Sequence, residues 1–191
     1  MLPRLTRNRR LNGPAPHGAS IPVLYSAAEI GERVRGLAAE IAASMVPQPL
    51  IIPILKGSFI FAADLLRALH EAGMTPDVDF ISLSSYGTGT QSLGEVRIIR
   101  DTEVDIAGRD VLIVDDILES GRTLAYARDL MVSRGAQKVR SCVLLRKPGK
   151  LAVEITADFV GFDCPDRFVV GYGMDAAHAW RQLPFVGYLE T

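Results

Sequence analysis

The sequence predicts an α/β domain, a mostly parallel twisted sheet with helices on both faces and a small C-terminal hood lobe. Three observations carry that expectation. The apolar runs LIIPIL, VLIV and KVRSCVLL have the length and β-branched content of strands buried on both faces. The first two are followed by stretches with the 3.6-residue apolar period of a helix, an alternation that builds right-handed strand–helix–strand units. After residue 147 that rhythm stops, and the short runs FVGF, FVVGY and PFVGYL are separated by Pro, Asp and Gly.

Taken in order, residues 1–20 hold four arginines and three prolines. That composition buries too little apolar surface to order itself, so a flexible arm is expected. Residues 21–191 are left as a single domain, with 147–191 contributing the hood. Ser26 and Glu29 form a capping-box pair, and Ile30, Val34, Leu37, Ala38, Ile41 and Met45 then share one face of a helix that Pro47 and Pro49 end. A strand is expected at 50–55, then a helix over 58–72 closed by Gly73. DFISLSSY at 79–86 reads as a strand, followed by a polar loop from Gly87 to Gly94 and the strand EVRII. A turn through Gly108 leads to VLIV at 111–114, an acidic loop, a helix opening at Thr123, and the strand KVRSCVLL.

At 191 residues, one core is the natural arrangement. A net charge of −1 argues against non-specific nucleic-acid binding, and the ligand is expected to be small. Cys142 and Cys164 form no CxxC or Cys/His cluster, and free thiols in a reducing cytoplasm are expected. Arg4, Arg7, Arg9 and Arg10 precede Gly, Pro and His rather than an apolar segment, which does not read as a signal peptide. No apolar run approaches the ~18 residues of a membrane span. The expected location is the cytoplasm.

The residues with chemical potential stand at strand ends, where ligands bind in open α/β sheets. Asp115 to Thr123 reads DDILESGRT. Its small residues Ser120, Gly121 and Thr123, at the start of a helix, can turn backbone N–H groups and hydroxyls towards one phosphate. Asp115 and Asp116 can accept hydrogen bonds from adjacent hydroxyls such as those of a ribose. In LKGS, Lys56 and Gly57 offer a cation and unhindered N–H groups to a pyrophosphate, although the same residues also make an ordinary strand-to-helix turn. SSYGTGTQSLGEV, with three glycines and no core pattern beyond Tyr86, reads as a solvent-exposed hairpin loop. Lys147 ends a strand and can donate to a 6-oxo group, while Phe168 can stack on a planar base. Alone, Phe168 could also be a core residue and Asp175 a surface carboxylate or cap.

DDILESGRT behind a hydrophobic strand resembles the PRPP-binding motif of the type I phosphoribosyltransferases. With LKG, SSYG, LLRKP and FVVGYGMD in order, residues 22–190 resemble the hypoxanthine-guanine phosphoribosyltransferases. The resemblance implies the type I phosphoribosyltransferase fold and purine salvage. In that reaction the 5-phosphoribosyl group of PRPP passes to N9 of hypoxanthine or guanine, giving IMP or GMP and pyrophosphate, with Mg²⁺ as cofactor. It implies Asp115 and Asp116 at the ribose hydroxyls, and Ile117, Leu118, Glu119, Ser120, Gly121, Arg122 and Thr123 around the 5′-phosphate. Leu55, Lys56, Gly57 and Arg181 fall at pyrophosphate, with a non-proline cis peptide at Leu55–Lys56. Ser85 and Tyr86 belong to a loop that closes over the site. Lys147 is placed at the purine O6 and N7 edge, Arg167, Phe168 and Val169 around the base, and Asp175 at Mg²⁺. Lys147 and Glu119 are the catalytic candidates, with Glu119 taking the N7 proton. The chain departs from the family at two positions: Asp115 stands where Glu is frequent, and Glu119 where Asp is usual. A homodimer or homotetramer is implied, without a specific nucleic-acid or membrane partner. GRT also resembles the uracil-phosphoribosyltransferase-like RNA-binding regulators of pyrimidine genes; FVVGYGMD and the lysine of LLRKP point away from them.

Overall fold

The computed structural model describes residues 20–85 and 96–190. The expected flexible arm, apart from Ser20, lies outside the described residues, as do Tyr86 and the polar loop Gly87–Gly94. Strand β1 (Val23–Tyr25) leads into helix α1 (Ala27–Ser44). Its capping box forms as the sequence predicts, the Glu29 N–H donating to Ser26 Oγ at 3.3 Å and the Ser26 N–H to Glu29 at 2.8 Å. Strand β2 (Leu50–Leu55) is followed by helix α2 (Phe59–Glu71). Gly73, at φ 84°, ends that helix in a Schellman motif: its N–H donates to His70 O and the Met74 N–H to Leu69 O, both at 2.9 Å.

Of the predicted strand 79–86, β4 (Ile81–Ser85) forms, and a separate short strand, β3 (Asp77–Val78), precedes the predicted start. Both pair with β2 in one register, so the break at Asp79 and Phe80 lies opposite Ile52 and Pro53. Pro53 has no N–H for a ladder, and the chain beside it leaves strand geometry there. β5 (Val96–Arg100) returns antiparallel to β4 as the sheet edge. Then follow β6 (Asp110–Leu118), α3 (Arg122–Ser133) and β7 (Lys138–Arg146).

FVGF was expected in the hood, but it forms β8 (Phe159–Asp163), parallel to β7 in the main sheet. Its carbonyls at Val160 and Gly161 accept hydrogen bonds from the Arg33 guanidinium at 2.7 and 3.0 Å, so α1 covers this edge strand. β9 (Phe168–Val170) and β10 (Val186–Leu189) join β1 in a separate three-stranded sheet, for which the sequence offered no strand at 23–25. Stacked Tyr25 and Phe162 rings, 4.3 Å apart, and a Tyr172 hydroxyl donating to Asp64 at 2.7 Å tie this small sheet to the main body.

Among the described residues the main sheet has seven strands, in the order β5-β4-β2-β6-β7-β8 with β3 beside β2. Successive strand residues serve opposite faces. Ile51, Leu112, Val114 and Leu144 pack with α1 and α2, whereas Ile52, Val111, Ile113 and Val143 pack with α3. The chain leaves β2 towards β4 but leaves β6 towards β7, so its direction reverses between two neighbouring strands. A crevice opens at their carboxyl ends. Cys142 and Cys164 are free and buried, and among the described residues no helix is long and apolar enough to cross a membrane.

Candidate active site

Asp115 and Asp116 are in the strand rather than in a loop, which corrects the expected boundary. β6 keeps its pairing with β7 as far as Leu118 opposite Arg146, because β7 runs alongside for the whole length. Asp115 is buried, and its carboxylate accepts the Asp116 N–H at 3.0 Å; Asp116 accepts the Ile117 N–H at 2.9 Å. Burial pushes the Asp115 carboxyl well above the usual range, and the neighbouring Asp116 charge pushes the same way. Burial raises Asp116 too, against the opposing effects of its hydrogen bonds and the Arg181 charge.

Gly57 packs directly on this pair. A Cβ there would overlap the Asp116 carboxylate, so only glycine lets the post-β2 loop approach so closely. Gly173, at φ 102°, is in turn pressed on the Gly57 carbonyl, bringing the C-terminal segment down onto the same loop. The Leu55–Lys56 peptide is cis, where the resemblance placed it. The Lys56 side chain is exposed and does not line the cleft described below.

α3 begins at Gly121, which takes φ 79° and gives no side-chain cap; the first turn carries no acidic residue. Helix geometry leaves the first-turn N–H groups without intrahelical partners, a ready anion site. The loop is held from outside, Ser120 O accepting the Ala152 and Val153 N–H groups at 2.9 and 3.3 Å. Ser120 and Thr123 are half-buried beside it, and Arg122 is exposed. The Leu118 side chain is buried in the α3-side core, and Ile117 lines the neighbouring cleft.

That cleft, about 250 Å³, draws on five chain segments, the first being Gly57 after β2. The sheet end supplies Asp116, Ile117 and Glu119, and Lys147 enters from the end of β7. Phe168 and Val169 face them from β9, and Met174, Asp175 and Arg181 follow from the turn beyond. Lys147 is buried, with its Nζ 3.2 Å from Glu119 Oε2. Phe168 keeps 49% of its surface exposed, a large unpartnered ring at the cleft wall. Arg167 is turned away, its guanidinium carbon 4.0 Å over the Tyr188 ring in an adjoining cleft. Ser85 ends β4, and Tyr86 lies outside the described residues. Sequence reasoning missed Met174 and Gly173. A glycine between Tyr172 and Met174 marks no close approach until the fold is known.

The family model described as phosphoribosyl transferase domain matches residues 24–177. The chain is 44% identical over 188 residues to the bifunctional protein TilS/HprT of Listeria monocytogenes, covering 98% of this chain but only 28% of that relative's length. It is 44% identical to the hypoxanthine-guanine phosphoribosyltransferase of Bacillus subtilis over 88% of this chain and 92% of the relative. A crystal structure of a hypoxanthine-guanine phosphoribosyltransferase from Bacillus anthracis superimposes with a TM-score of 0.82 at 39% identity, covering 90% of this chain and 100% of the other. With an uncapped helix start and a carboxylate pair at one rim, and with these similarities over nearly all of its described length, the chain belongs to the phosphoribosyl transferase domain family.

Proposed function

We propose that this chain transfers the 5-phosphoribosyl group of PRPP to N9 of hypoxanthine or guanine, releasing pyrophosphate. The observation that carries this reading is the Lys147–Glu119 pair, an ammonium and a carboxylate 3.2 Å apart in a cleft wall. A 6-oxopurine presents an acceptor at O6 and a donor at N7–H on adjacent atoms of one edge. Lys147 donates to the first and Glu119 accepts from the second. Adenine would set its amino group against the lysine, leaving both unpaired. The purine names of the Bacillus subtilis and Bacillus anthracis relatives support the same substrate class and give no support to an RNA-binding regulator.

In this reading Asp115 and Asp116 accept from the ribose hydroxyls and the α3 start holds the 5′-phosphate. Phe168 stacks on the base, with Ile117 and Val169 beside it. As N9 bonds to C1, the bond from C1 to the pyrophosphate oxygen breaks. Glu119 takes the N7 proton, and the leaving group moves towards Gly57 and Arg181. Among the described residues no three His, Cys, Asp or Glu side chains gather into a metal cage. Mg²⁺ typically takes one or two carboxylates and completes its shell with water and substrate phosphates, and Asp175, whose carboxylate lines the cleft, is the residue that would hold it. When bound, Mg²⁺ neutralises charge on the pyrophosphate oxygens. A cytoplasmic location and assembly as a homodimer or homotetramer belong to the same proposal.

Steady-state assays with PRPP, Mg²⁺ and each of hypoxanthine, guanine, xanthine, adenine and uracil test it. Turnover of 6-oxopurines without adenine or uracil is expected. Consumption of uracil, or of no base, would refute the reading.

A further inference from the structure

The turn carrying Asp175 and Arg181 is organised around a contact between them. It is a tight hairpin in which the Gly173 N–H donates to Arg181 O at 3.0 Å and the Tyr172 N–H to Leu183 O at 2.9 Å. At its tip Ala177, His178 and Trp180 take φ values of 49°, 68° and 71°, left-handed conformations that cost free energy in L-residues. This path folds Arg181 back on its own turn. One guanidinium nitrogen donates to Gly173 O at 2.6 Å, and the other lies 2.6 Å from Asp175 Oδ1. The second Asp175 oxygen accepts the His178 N–H at 2.8 Å. Both carboxylate oxygens are therefore engaged, and about three-quarters of each side chain is shielded from water, with 25% and 24% exposed.

The resemblance assigns Asp175 to the cation and Arg181 to pyrophosphate, and neither assignment can be met while they hold each other. We propose that Arg181 is a counter-ion lock on Asp175: guanidinium and divalent cation compete for one carboxylate, and Arg181 is freed for pyrophosphate only as the cation arrives with it. The inference rests on the PRPP-dependent reading above. A bare cation approaching Asp175 Oδ1 meets the Arg181 charge at close range and finds few other donors. A bare pyrophosphate finds its arginine already paired. Together each ion removes the obstacle to the other, so the two bind with positive coupling, and the coupling is reciprocal. The same exchange swings Arg181 off the Gly173 carbonyl, next to the point where Gly173 presses on the Gly57 loop.

Isothermal titration of the full chain with Mn²⁺ alone, pyrophosphate alone and the two together, with the Mn²⁺–pyrophosphate association measured without protein and subtracted, tests the lock. In wild type each ion alone binds weakly, and each raises the affinity of the other by roughly tenfold or more. Arg181→Gln binds Mn²⁺ alone roughly tenfold more tightly than wild type and loses the coupling. Asp175→Asn loses both the Mn²⁺ site and the coupling. Arg167→Gln removes a cation held on Tyr188, outside the cleft that Asp175 lines, and leaves Mn²⁺ binding unchanged. Arg181→Lys keeps the charge without the two-pronged contact and gives intermediate values; if Arg181→Gln does not fold, wild-type Mn²⁺ affinity and coupling in Arg181→Lys overturn the lock. Equal Mn²⁺ affinity in wild type and Arg181→Gln overturns the lock, as does equal tightening by Arg167→Gln. Purine turnover without coupling sinks the lock and leaves the enzymatic reading standing; coupling without purine turnover does the reverse.

Discussion

Asp79 and Asp115 are both buried carboxylates of the main sheet, and their surroundings treat them in opposite ways. Asp79, in the break between β3 and β4, accepts N–H groups from Phe80 at 2.7 Å, Glu103 at 2.6 Å and Val104 at 3.2 Å. Burial alone would raise its pKa, but these three bonds together win and hold it below the usual value. Asp115, in the carboxyl-terminal half of β6, accepts one backbone N–H, that of Asp116 at 3.0 Å, and has a second acid beside it. The first carboxylate is satisfied by the fold. The second gains no comparable set of backbone donors, and burial and the neighbouring acid raise its pKa, which is what marks the rim as the candidate site.

The largest effect expected is on the unsatisfied side. Glu119→Gln keeps the shape of the Lys147 partner but cannot take a proton, so kcat should fall by about 10²–10⁴-fold with little change in the KM for PRPP. Equal activity in wild type and variant would remove Glu119 from the chemistry. On the satisfied side, Asp79→Ala orphans three backbone N–H groups at once. Chemical denaturation should show a loss of about 3 kcal/mol or more, at roughly 1 kcal/mol or more per donor. A loss below 1 kcal/mol would mean that water replaces the carboxylate and that the contrast is overstated. Lys147→Ala lies between the two. Removing the O6 donor should raise the purine KM by roughly 10–100-fold, and an unchanged KM for both purines would take Lys147 out of the pocket.

The sequence marks these two acids with unequal clarity. Asp115 belongs to a nine-residue pattern whose small residues and helix start have only a few uses, so its position at the sheet's carboxyl rim was legible. Its placement in a strand was not, because how far β6 extends depends on β7 running beside it to Arg146. Asp79 looked like the first residue of an ordinary strand. Its role follows from Pro53 in the next strand and from N–H donors 24 and 25 residues away, separations with no local signal. Helix ends were legible for a related reason: the Ser26–Glu29 box and the Gly73 Schellman motif are settled within a few residues. FVGF was misplaced because an edge strand and a hood strand share one short apolar pattern, and only pairing with β7 separates them. Lys147, Phe168, Asp175 and Arg181 were legible through the resemblance. The approach of Gly173 to Gly57 is a contact between two backbones, and no side-chain pattern records it.

The smallest effect expected is the most direct test of the contrast. Asp115→Asn removes a buried charge while preserving shape, so it should abolish ribose recognition and yet stabilise the ligand-free protein, by roughly 0.5–2 kcal/mol. The pH dependence fixes the cause. Because burial raises the folded-state pKa of Asp115 above its ordinary 3.8, the folded wild type holds that proton more readily than the unfolded chain. The penalty is thus fully present above the raised pKa and fades as pH falls through it towards 3.8, where both states are protonated. The gain from Asp115→Asn should be complete at neutral pH and shrink with acidification. Asp79 has a lowered pKa, so its contribution to stability is present above 3.8 and is lost as pH falls through the folded value; the deficit of Asp79→Ala should shrink there too. Denaturation of both variants from pH 7 downwards would then show two differences of opposite sign converging on zero. An Asp115→Asn protein less stable than wild type at pH 7 would mean that the rim carboxylate is as well satisfied as the structural one.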